Sequence, residues 1–356
     1  MMARRRSALV LAGLVLLALL PELPISIPGV LPGPTGSAGT LQLLTVCLLI
    51  GALAVTYDLL FGLAGLLSFG HALYFATGCY VFAIALERWH LRIIPAALLT
   101  LVAGIVAALL VGAVSLRVRG ISFAMVTLAF AQAGSLLVYR NFGGYTGGEE
   151  GLGLTTAKLP GWLVGVVNTK NLYWMALAIA ILVYAAVAWL SRTHAGRMMA
   201  AVRENDLRVR VIGIRPYVVR LIAFVTGGAL ATVVGMGYLL ALSGVGPQIT
   251  TPGFTLSLLV MVVLGGAGAR WGALLGGVVY TLLDQRLAVM ASSSRITSLP
   301  GVLRVPLSQP LFLLGTLFVL VVLFLPGGLA GAISRLRRTI EPVPELPGGQ
   351  ARKEAA

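Results

Sequence analysis

The sequence predicts an all-α, polytopic membrane protein, and two features of its 356 residues carry that prediction. Hydrophobic residues make up 58% of the chain and charged residues only 10%, whereas a soluble domain is about 45–50% apolar and about 25% charged. Apolar runs long enough to cross roughly 30 Å of hydrocarbon also recur along most of its length. A water-soluble enzyme, a disordered chain and a fibrous protein are thereby excluded.

About ten membrane crossings are predicted from these runs. They cover 7–27, 41–61, 66–86, 93–115, 120–139, 172–190, 218–242, 254–269, 271–290 and 311–333. The first run follows three arginines, at positions 4–6, and in that respect resembles a signal peptide. We expect it to be retained as a helix, because Pro21-Glu22-Leu23-Pro24 follows it instead of a small-residue cleavage site.

The charge pattern predicts the orientation. The formal net charge of +15 comes from 26 basic and 11 acidic residues. In a soluble domain this balance suggests nucleic acid, but the chain offers little polar surface for such a partner, so none is expected. Instead, basic residues in short cytoplasmic loops orient the helices. Ten crossings place the arginine-bearing segments 4–6, 117–119, 192–220 and 335–338, with Arg270, on one face, so both termini are expected in the cytoplasm. The exceptions on the other face are the 87–92 turn, Arg140 and the 291–310 loop, which carry fewer basic residues per loop.

Three regions are expected along the chain. Residues 1–40 supply an N-terminal transmembrane helix and an outer linker, residues 41–340 form the transmembrane domain, and the Pro- and Gly-rich residues 341–356 form a disordered cytoplasmic tail. Two polar segments, 140–171 and 291–310, are expected outside. Gly-rich segments at 62–73 and 264–274 lead to the hypothesis that crossings two to five and seven to ten are inverted repeats, as in many transporters.

The cytoplasmic loop 192–217 is predicted to contain a short amphipathic helix over 200–212, because Leu207, Val211 and Ile214 recur at helical spacing. Gly213 suits the position after the helix end, and Pro216 prevents continuation. Two interpretations remain open from periodicity alone. The helix is either a docking surface for a cytoplasmic partner or a basic loop that lies on anionic lipid.

Several polar residues fall inside the predicted crossings, where they are costly and often functional. Gly65, Ser68, Gly70 and His71 lie in a Gly-punctuated stretch that either packs closely or breaks the helix beside a pathway. In crossing five, Thr127 and Gln132 stand among apolar residues. We expect Gln132 to face the bundle interior, because lipid leaves its amide unsatisfied. These six residues are the candidates for lining a translocation pathway.

The motifs of common catalytic and nucleotide sites do not occur in the sequence. There is no His-Glu-x-x-His, no Gly-x-Ser-x-Gly, and no lysine that follows a glycine as in a P-loop. Cys47 and Cys79 lie in apolar runs without metal-site spacing. We expect no metal, no cofactor and no enzymatic activity in this chain, and any ATP to be held by another subunit.

Five motifs, in order, resemble the permease subunits of bacterial branched-chain amino acid ABC importers, of the LivM-like kind. They are Gly62-Leu63-Ala64-Gly65-Leu66-Leu67-Ser68-Phe69-Gly70-His71-Ala72; Thr127 to Gln132 with Thr146-Gly147-Gly148 and Gly151-Leu152; Ala201-Val202-Arg203-Glu204-Asn205-Asp206 to Gly213; Val263-Leu264-Gly265-Gly266-Ala267-Gly268 with Trp271-Gly272; and Leu323-Phe324-Leu325-Pro326-Gly327-Gly328-Leu329. The chain departs from the family pattern at Asp58, where an Asn-like residue is expected, and at Gly328, where arginine is frequent.

The resemblance implies an assembly in the bacterial plasma (inner) membrane. This chain and a LivH-like second permease form the pathway, two ABC ATPase subunits bind ATP and Mg²⁺, and an extracytoplasmic binding protein delivers leucine, isoleucine or valine. It assigns ATPase coupling to Arg197, Arg203, Glu204, Asn205, Asp206, Leu207, Val211 and Gly213. Glu204 and Asp206 are expected to pair with basic groups of the ATPase. The outer residues Thr146, Gly147, Gly148 and Gly151 are candidates for contact with the binding protein.

Other functions remain open. The substrate of a related permease can be urea, a short amide or another amino acid. An ion-coupled secondary transporter would explain the Gly-broken helices without ATP, but it needs no docking helix at 200–213. A polytopic membrane enzyme needs a catalytic pair at one depth, and Asp58 and Asp284 are predicted at opposite faces.

Overall fold

The computed structural model describes residues 17–23, 26, 31–155, 161–163, 168–291, 309–325, 327–332 and 335. Most of the first predicted crossing, nearly all of the segment 291–310 and the whole predicted tail 341–356 lie outside the described residues.

The described residues form a helical bundle. Its helices are α1 Ala38–Asp58, α2 His71–Glu87, α3 Ile93–Ser115, α4 Ile121–Tyr139, α5 Thr169–Arg192, α6 His194–Glu204, α7 Asp206–Val211, α8 Pro216–Leu242, α9 Pro252–Gly265, α10 Arg270–Ala291 and α11 Pro310–Phe324. A π-helical turn, Leu59–Leu63, continues α1. Two short antiparallel strands, β1 Leu152–Gly153 and β2 Gly244–Val245, are the sheet structure of the described residues.

Five helices of the described residues are long and apolar enough to cross a membrane. They are Ala38–Leu63, Ile93–Ser115, Ile121–Tyr139, Thr169–Arg192 and Pro216–Leu242. An all-α membrane protein is therefore confirmed. Three predicted crossings were too long: α2 starts only at His71, α9 stops at Gly265 and α11 stops at Phe324. Each correction has a local cause. Residues 64–70 are unwound ahead of α2, and the positive φ of 105° at Gly266 ends α9. Helix α11 ends because a proline follows Leu325 in the sequence and disfavours the helical conformation of the residue before it.

Helix α1 forms the centre of the bundle. It packs against α5, α8, α9 and α10, and 83% of its most apolar stretch is buried within the chain. Small residues allow the helices to approach closely. At the crossing of α1 and α10, a Cβ added at Gly277 would lie only 2.7 Å from the Cα of Gly51. The remaining long helices are more exposed, which leaves apolar surface for lipid or other subunits.

The helix packing has an internal symmetry. Helices α1 and α8 have equivalent neighbours. Helix α1 packs on α10, and α8 packs on α3; α1 also contacts α9, and α8 contacts α2. Exchanging α1–α4 with α8–α11 therefore reproduces the principal contacts. The end of α1 and the start of α8 both meet the segment between α5 and α8, so the two equivalent helices run in opposite directions. This arrangement is the one that inverted repeats produce.

The two ends of the bundle differ, and we name them by what they carry. The loop end carries α6, α7 and the turns that precede α8 and α10. The strand end carries β1, β2 and the turn Phe142–Gly144.

Candidate functional site

The segment between α5 and α8 is two helices rather than the single helix predicted over 200–212. Asn205 is extended, with φ −157° and ψ 107°, and it ends α6. Its side-chain oxygen accepts hydrogen bonds from the backbone N–H groups of Leu207 and Arg208 at 3.0 and 3.1 Å, and so caps α7. Asparagine favours this capping role over a helix interior, and the prediction of a continuous helix was wrong for that reason.

The end of α7 is as predicted. Gly213 has φ 81°, and its N–H donates to the Arg210 carbonyl at 2.9 Å while that of Ile214 donates to the Val209 carbonyl at 3.2 Å. This pair of bonds is a Schellman motif, which needs the left-handed conformation that glycine adopts easily. Pro216 then begins α8 at a position where its missing N–H costs nothing. The chain therefore reverses sharply beside α7.

Helix α7 has an exposed apolar side. Leu207, Val211 and Ile212 are 70%, 88% and 67% exposed, whereas Val209 is buried against the bundle. We call Leu207, Val211 and Ile212 the apolar tip. Three large apolar side chains exposed together at the polar end of a membrane bundle indicate a surface that a partner covers.

The other side of α7 is held by charge. The carboxylate of Asp206 lies 3.1 Å from Arg119 in the α3–α4 turn, 3.1 Å from Arg220 in α8 and 3.5 Å from Arg210 in α7 itself. The chain's own arginines surround Asp206, and its expected pairing with basic groups of an ATPase stays a prediction. Glu204 and Arg197 are exposed and remain available for a partner.

A second set of contacts ties α6 to the end of α1. The guanidinium group of Arg203 donates to the carbonyl of Gly62 in the π-helical turn. Gly65 has φ 68°, and a Cβ there would lie 2.7 Å from the Cγ of Arg203. The buried carboxylate of Asp58 accepts a hydrogen bond of 2.7 Å from the N–H of Gly268, in the α9–α10 turn.

Four of the five sequence motifs meet around Gly62, Arg203 and Gly268, and we call this cluster the junction. Arg203, Gly62 and Gly268 come from three of them, and the fourth approaches at Gly328, where a Cβ would lie 2.6 Å from the N–H nitrogen of Gly266. Sequence reasoning missed one member of the junction. Arg270 donates to the Ser191 hydroxyl and to the Ala188 carbonyl at 3.2 Å, and thereby joins α10 to α5. Arg270 stands two residues after the glycine-rich motif that ends at Gly268, and this position is the sequence signal that could have identified it.

Of the two alternatives left open for the Gly-punctuated stretch, the structure shows a break before His71, and protein groups satisfy its backbone. The N–H of Phe69 donates to the Thr127 hydroxyl at 3.1 Å, and the Ser68 carbonyl accepts from the Tyr57 hydroxyl at 3.0 Å. The Nε2 of His71 lies 2.8 Å from the Thr56 hydroxyl. Ser68, His71 and Thr127 are fully buried.

Of the pathway candidates, two reach an open surface. Gly65 lines a cavity of about 340 Å³ at the loop end. Gln132 is exposed on α4, so the expectation that it faces the interior of this chain was wrong. Helix α4 is apolar around most of its circumference, and no periodicity marks its inner side. Gly70 is buried, with the Thr127 carbonyl 2.9 Å from an added Cβ.

The outer-loop candidates form a compact turn at the strand end. The side-chain oxygen of Asn141 accepts from the N–H groups of Thr146 and Gly147 at 2.9 and 3.0 Å. Gly148 is buried, and Gly151 packs under β2, close to the Val245 carbonyl. The turn therefore supports the exposed residues beside it. Among the described residues, no three His, Cys, Asp or Glu side chains form a metal-binding group.

These features define the class of protein: a multi-pass α-helical membrane protein with an exposed apolar segment fastened to its helix ends. The family described as the branched-chain amino acid transport system / permease component matches residues 39–333. The chain belongs to this family of ABC-type permeases, which gives it a transport role rather than a catalytic one.

Curated relatives agree with this membership. The high-affinity branched-chain amino acid transport system permease protein LivM of Escherichia coli K12 is 27% identical over 321 residues, which cover 82% of this chain and 70% of the relative. LivM of Salmonella typhimurium is also 27% identical, over 90% of this chain and 75% of the relative. The autoinducer 2 import system permease protein LsrC of Klebsiella pneumoniae is 30% identical over 68% of this chain and 65% of the relative. No solved structure matches the chain.

Proposed function

We propose that this chain is one permease subunit of an ATP-driven importer of leucine, isoleucine and valine in the plasma (inner) membrane of a bacterium. The apolar tip carries the proposal. It presents Leu207 and Val211 outside the membrane helices, on a helix whose opposite side is fastened to the bundle. An ATPase subunit with an apolar groove fits this surface, since removing exposed apolar side chains from water stabilises such a contact.

The contacts behind the tip supply a route for movement. A displacement of α7 acts on the α3–α4 turn and on α8 through Asp206, and a displacement of α6 acts on the end of α1 through Arg203. Closure of two ATPase subunits on ATP then changes the angles between these helices and alternates the side from which the pathway opens. In this proposal the chain itself binds neither ATP nor Mg²⁺.

A second permease chain of the LivH-like kind completes the pathway. Gln132 stands in the middle of a membrane-length helix and is exposed at the surface of this chain. Hydrocarbon offers no partner for its amide, so protein or a water-filled path covers this face. We place the pathway between the two permeases, with Gln132 facing it.

The topology proposed with this function has about ten crossings and both termini in the cytoplasm. Residues 1–40 form the first helix and an outer linker, 41–340 the permease domain and 341–356 a cytoplasmic tail. The loop end then faces the cytoplasm and the strand end faces outward. The turn at 146–151 supports the exposed side chains of Tyr145, Glu149 and Glu150, which a binding protein can reach.

Reconstitution of the chain in liposomes with its second permease, two ATPases and binding protein tests the function. We expect ATP-dependent uptake of labelled leucine, competed by isoleucine and valine. Uptake driven by an ion gradient through this chain alone would contradict an ATP-driven importer. The LsrC relative favours a second candidate substrate class, a small solute that is not an amino acid. ATP-dependent uptake that leucine, isoleucine and valine do not compete would select it.

A further inference from the structure

A cleft at the loop end adjoins the ion pairs of Asp206, and the proposed function assigns no occupant to it. Its first part is the cavity of about 340 Å³ between residues 65–69 and the turn that joins α3 to α4. Most of its lining is apolar, including Phe69, Leu116, Ile121 and Ala124. The cavity lies where α3 ends and α4 begins, which is the level of the lipid headgroups for helices of membrane-spanning length.

A strongly basic pocket of about 430 Å³ adjoins this cavity. Arg119, Arg210, Arg215 and Arg220 line it, and it shares Leu116, Arg119 and Arg220 with the cavity. The two pockets therefore form one continuous surface, apolar on the membrane side and basic on the other. Among the described residues, the lining of both pockets includes no acidic side chain.

The arginines exceed the negative charge available to them. Asp206 is the acidic partner of three of these arginines, so four positive charges meet one carboxylate. The side chains of Arg119 and Arg210 are 59% and 43% exposed, so their guanidinium groups can reach a ligand in the cleft. An anion with several acceptor oxygens would balance the excess positive charge, and a phosphate group matches the donor geometry of guanidinium.

We propose that this cleft binds an anionic phospholipid, with the phosphate on the arginines and an acyl chain in the apolar cavity. An acidic surface of a protein partner fits less well, because it has no acyl chain for the cavity. The pocket also lies on a different side of α7 from the apolar tip: successive residues turn by about 100°, so Asp206 and Arg210 lie about a quarter turn from Leu207 and Val211. The site goes beyond the proposed function and does not depend on it.

Binding of defined lipids to the purified full chain tests the site, by native mass spectrometry and by thermal stabilisation in detergent. The probes are dioleoyl phosphatidylglycerol, dioleoyl phosphatidylcholine, dihexanoyl phosphatidylglycerol and glycerol phosphate. We expect retention of dioleoyl phosphatidylglycerol alone, with the short-chain lipid and glycerol phosphate at least tenfold weaker. Equal binding of glycerol phosphate, or no preference over phosphatidylcholine, would overturn the proposal.

A pair of double variants locates the site. Arg210→Gln with Arg215→Gln removes two pocket charges and should weaken binding of the anionic lipid by roughly thirtyfold, at about fivefold for each contact. Arg197→Gln with Arg208→Gln removes the same charge from exposed positions outside both pockets and should change it less than threefold. A size-exclusion elution profile that matches that of the unsubstituted protein confirms that each double variant is folded. Equal losses in both variants would show diffuse attraction, and unchanged lipid binding with lost ATPase association would assign the arginines to a protein partner.

Discussion

The two ends of the molecule are built from different contacts. At the loop end, long charged side chains connect elements that are distant in sequence, as Arg203 reaches Gly62 and Arg119 reaches Asp206. At the strand end, short bonds around Asn141 shape a turn within one loop, while Arg88 reaches the Gly144 carbonyl at 3.0 Å and β1 pairs with β2. The distant contacts of the loop end converge on one segment, α6 with α7, whereas those of the strand end join separate loops. In the proposed function, a displacement of α6 and α7 therefore acts on several helices at once, and the strand end presents a fixed face.

The largest effect is expected at the apolar tip. Leu207→Asp with Val211→Asp should abolish ATPase association and lower uptake more than a hundredfold, because charge replaces two side chains worth about 1.5–3 kcal/mol each when buried. Co-purification and uptake measure it. Leu207→Met with Val211→Ile keeps the apolar surface and should retain both. Full activity of the aspartate variant would remove the tip from the coupling role.

A smaller effect is expected at Asp58, whose carboxylate accepts the hydrogen bond from Gly268. Asp58→Ala leaves that buried N–H without a partner and should destabilise the fold by about 2–4 kcal/mol. Asp58→Asn keeps an acceptor oxygen and should lose about 1 kcal/mol or less. Thermal unfolding in detergent compares them. Similar losses in the two variants would show that the charge of Asp58, rather than its acceptor oxygen, holds the junction.

Asp206→Asn tests the charged side of α7. It removes the charge that three arginines share, two of them largely exposed, so we expect a loss of about 1–2 kcal/mol. ATPase association should persist while uptake per ATP hydrolysed falls, and Asp206→Glu should restore part of the coupling. Loss of association in proportion to uptake would mean that Asp206 acts only through the folding of α7.

The smallest effect on coupling is expected at the strand end. Asn141 has φ 47° and holds the turn through Thr146 and Gly147. Asn141→Ala removes these bonds and should destabilise the turn by about 1–3 kcal/mol, seen as faster amide hydrogen exchange at 141–151. ATP hydrolysis by the assembled transporter should not change. A change in hydrolysis as large as that of Asp206→Asn would show that the two ends do not differ as proposed.

Part of this molecule is predictable from sequence. Apolar run length gives the class of fold, and the chemistry of Gly213 and Pro216 gives the reversal after α7, because these signals are local. Asn205 is also a local signal, since asparagine caps helices, but the helical spacing of Leu207, Val211 and Ile214 favours one continuous helix. The partners of Asp206 could not be predicted, because Arg119 and Arg220 are brought to it by the tertiary fold. The exposure of Gln132 could not be predicted either, since an apolar helix shows no inner face.

Site-directed cross-linking tests the central claim most directly. Val211→Cys and Phe142→Cys place thiols at exposed positions of the loop end and the strand end, 88% and 79% exposed in the native residues. The two native cysteines are buried and should not react. With a thiol-attached photo-cross-linker in the assembled transporter, the account predicts an ATPase adduct from position 211 and none from position 142. An ATPase adduct from position 142, or none from position 211, would contradict it.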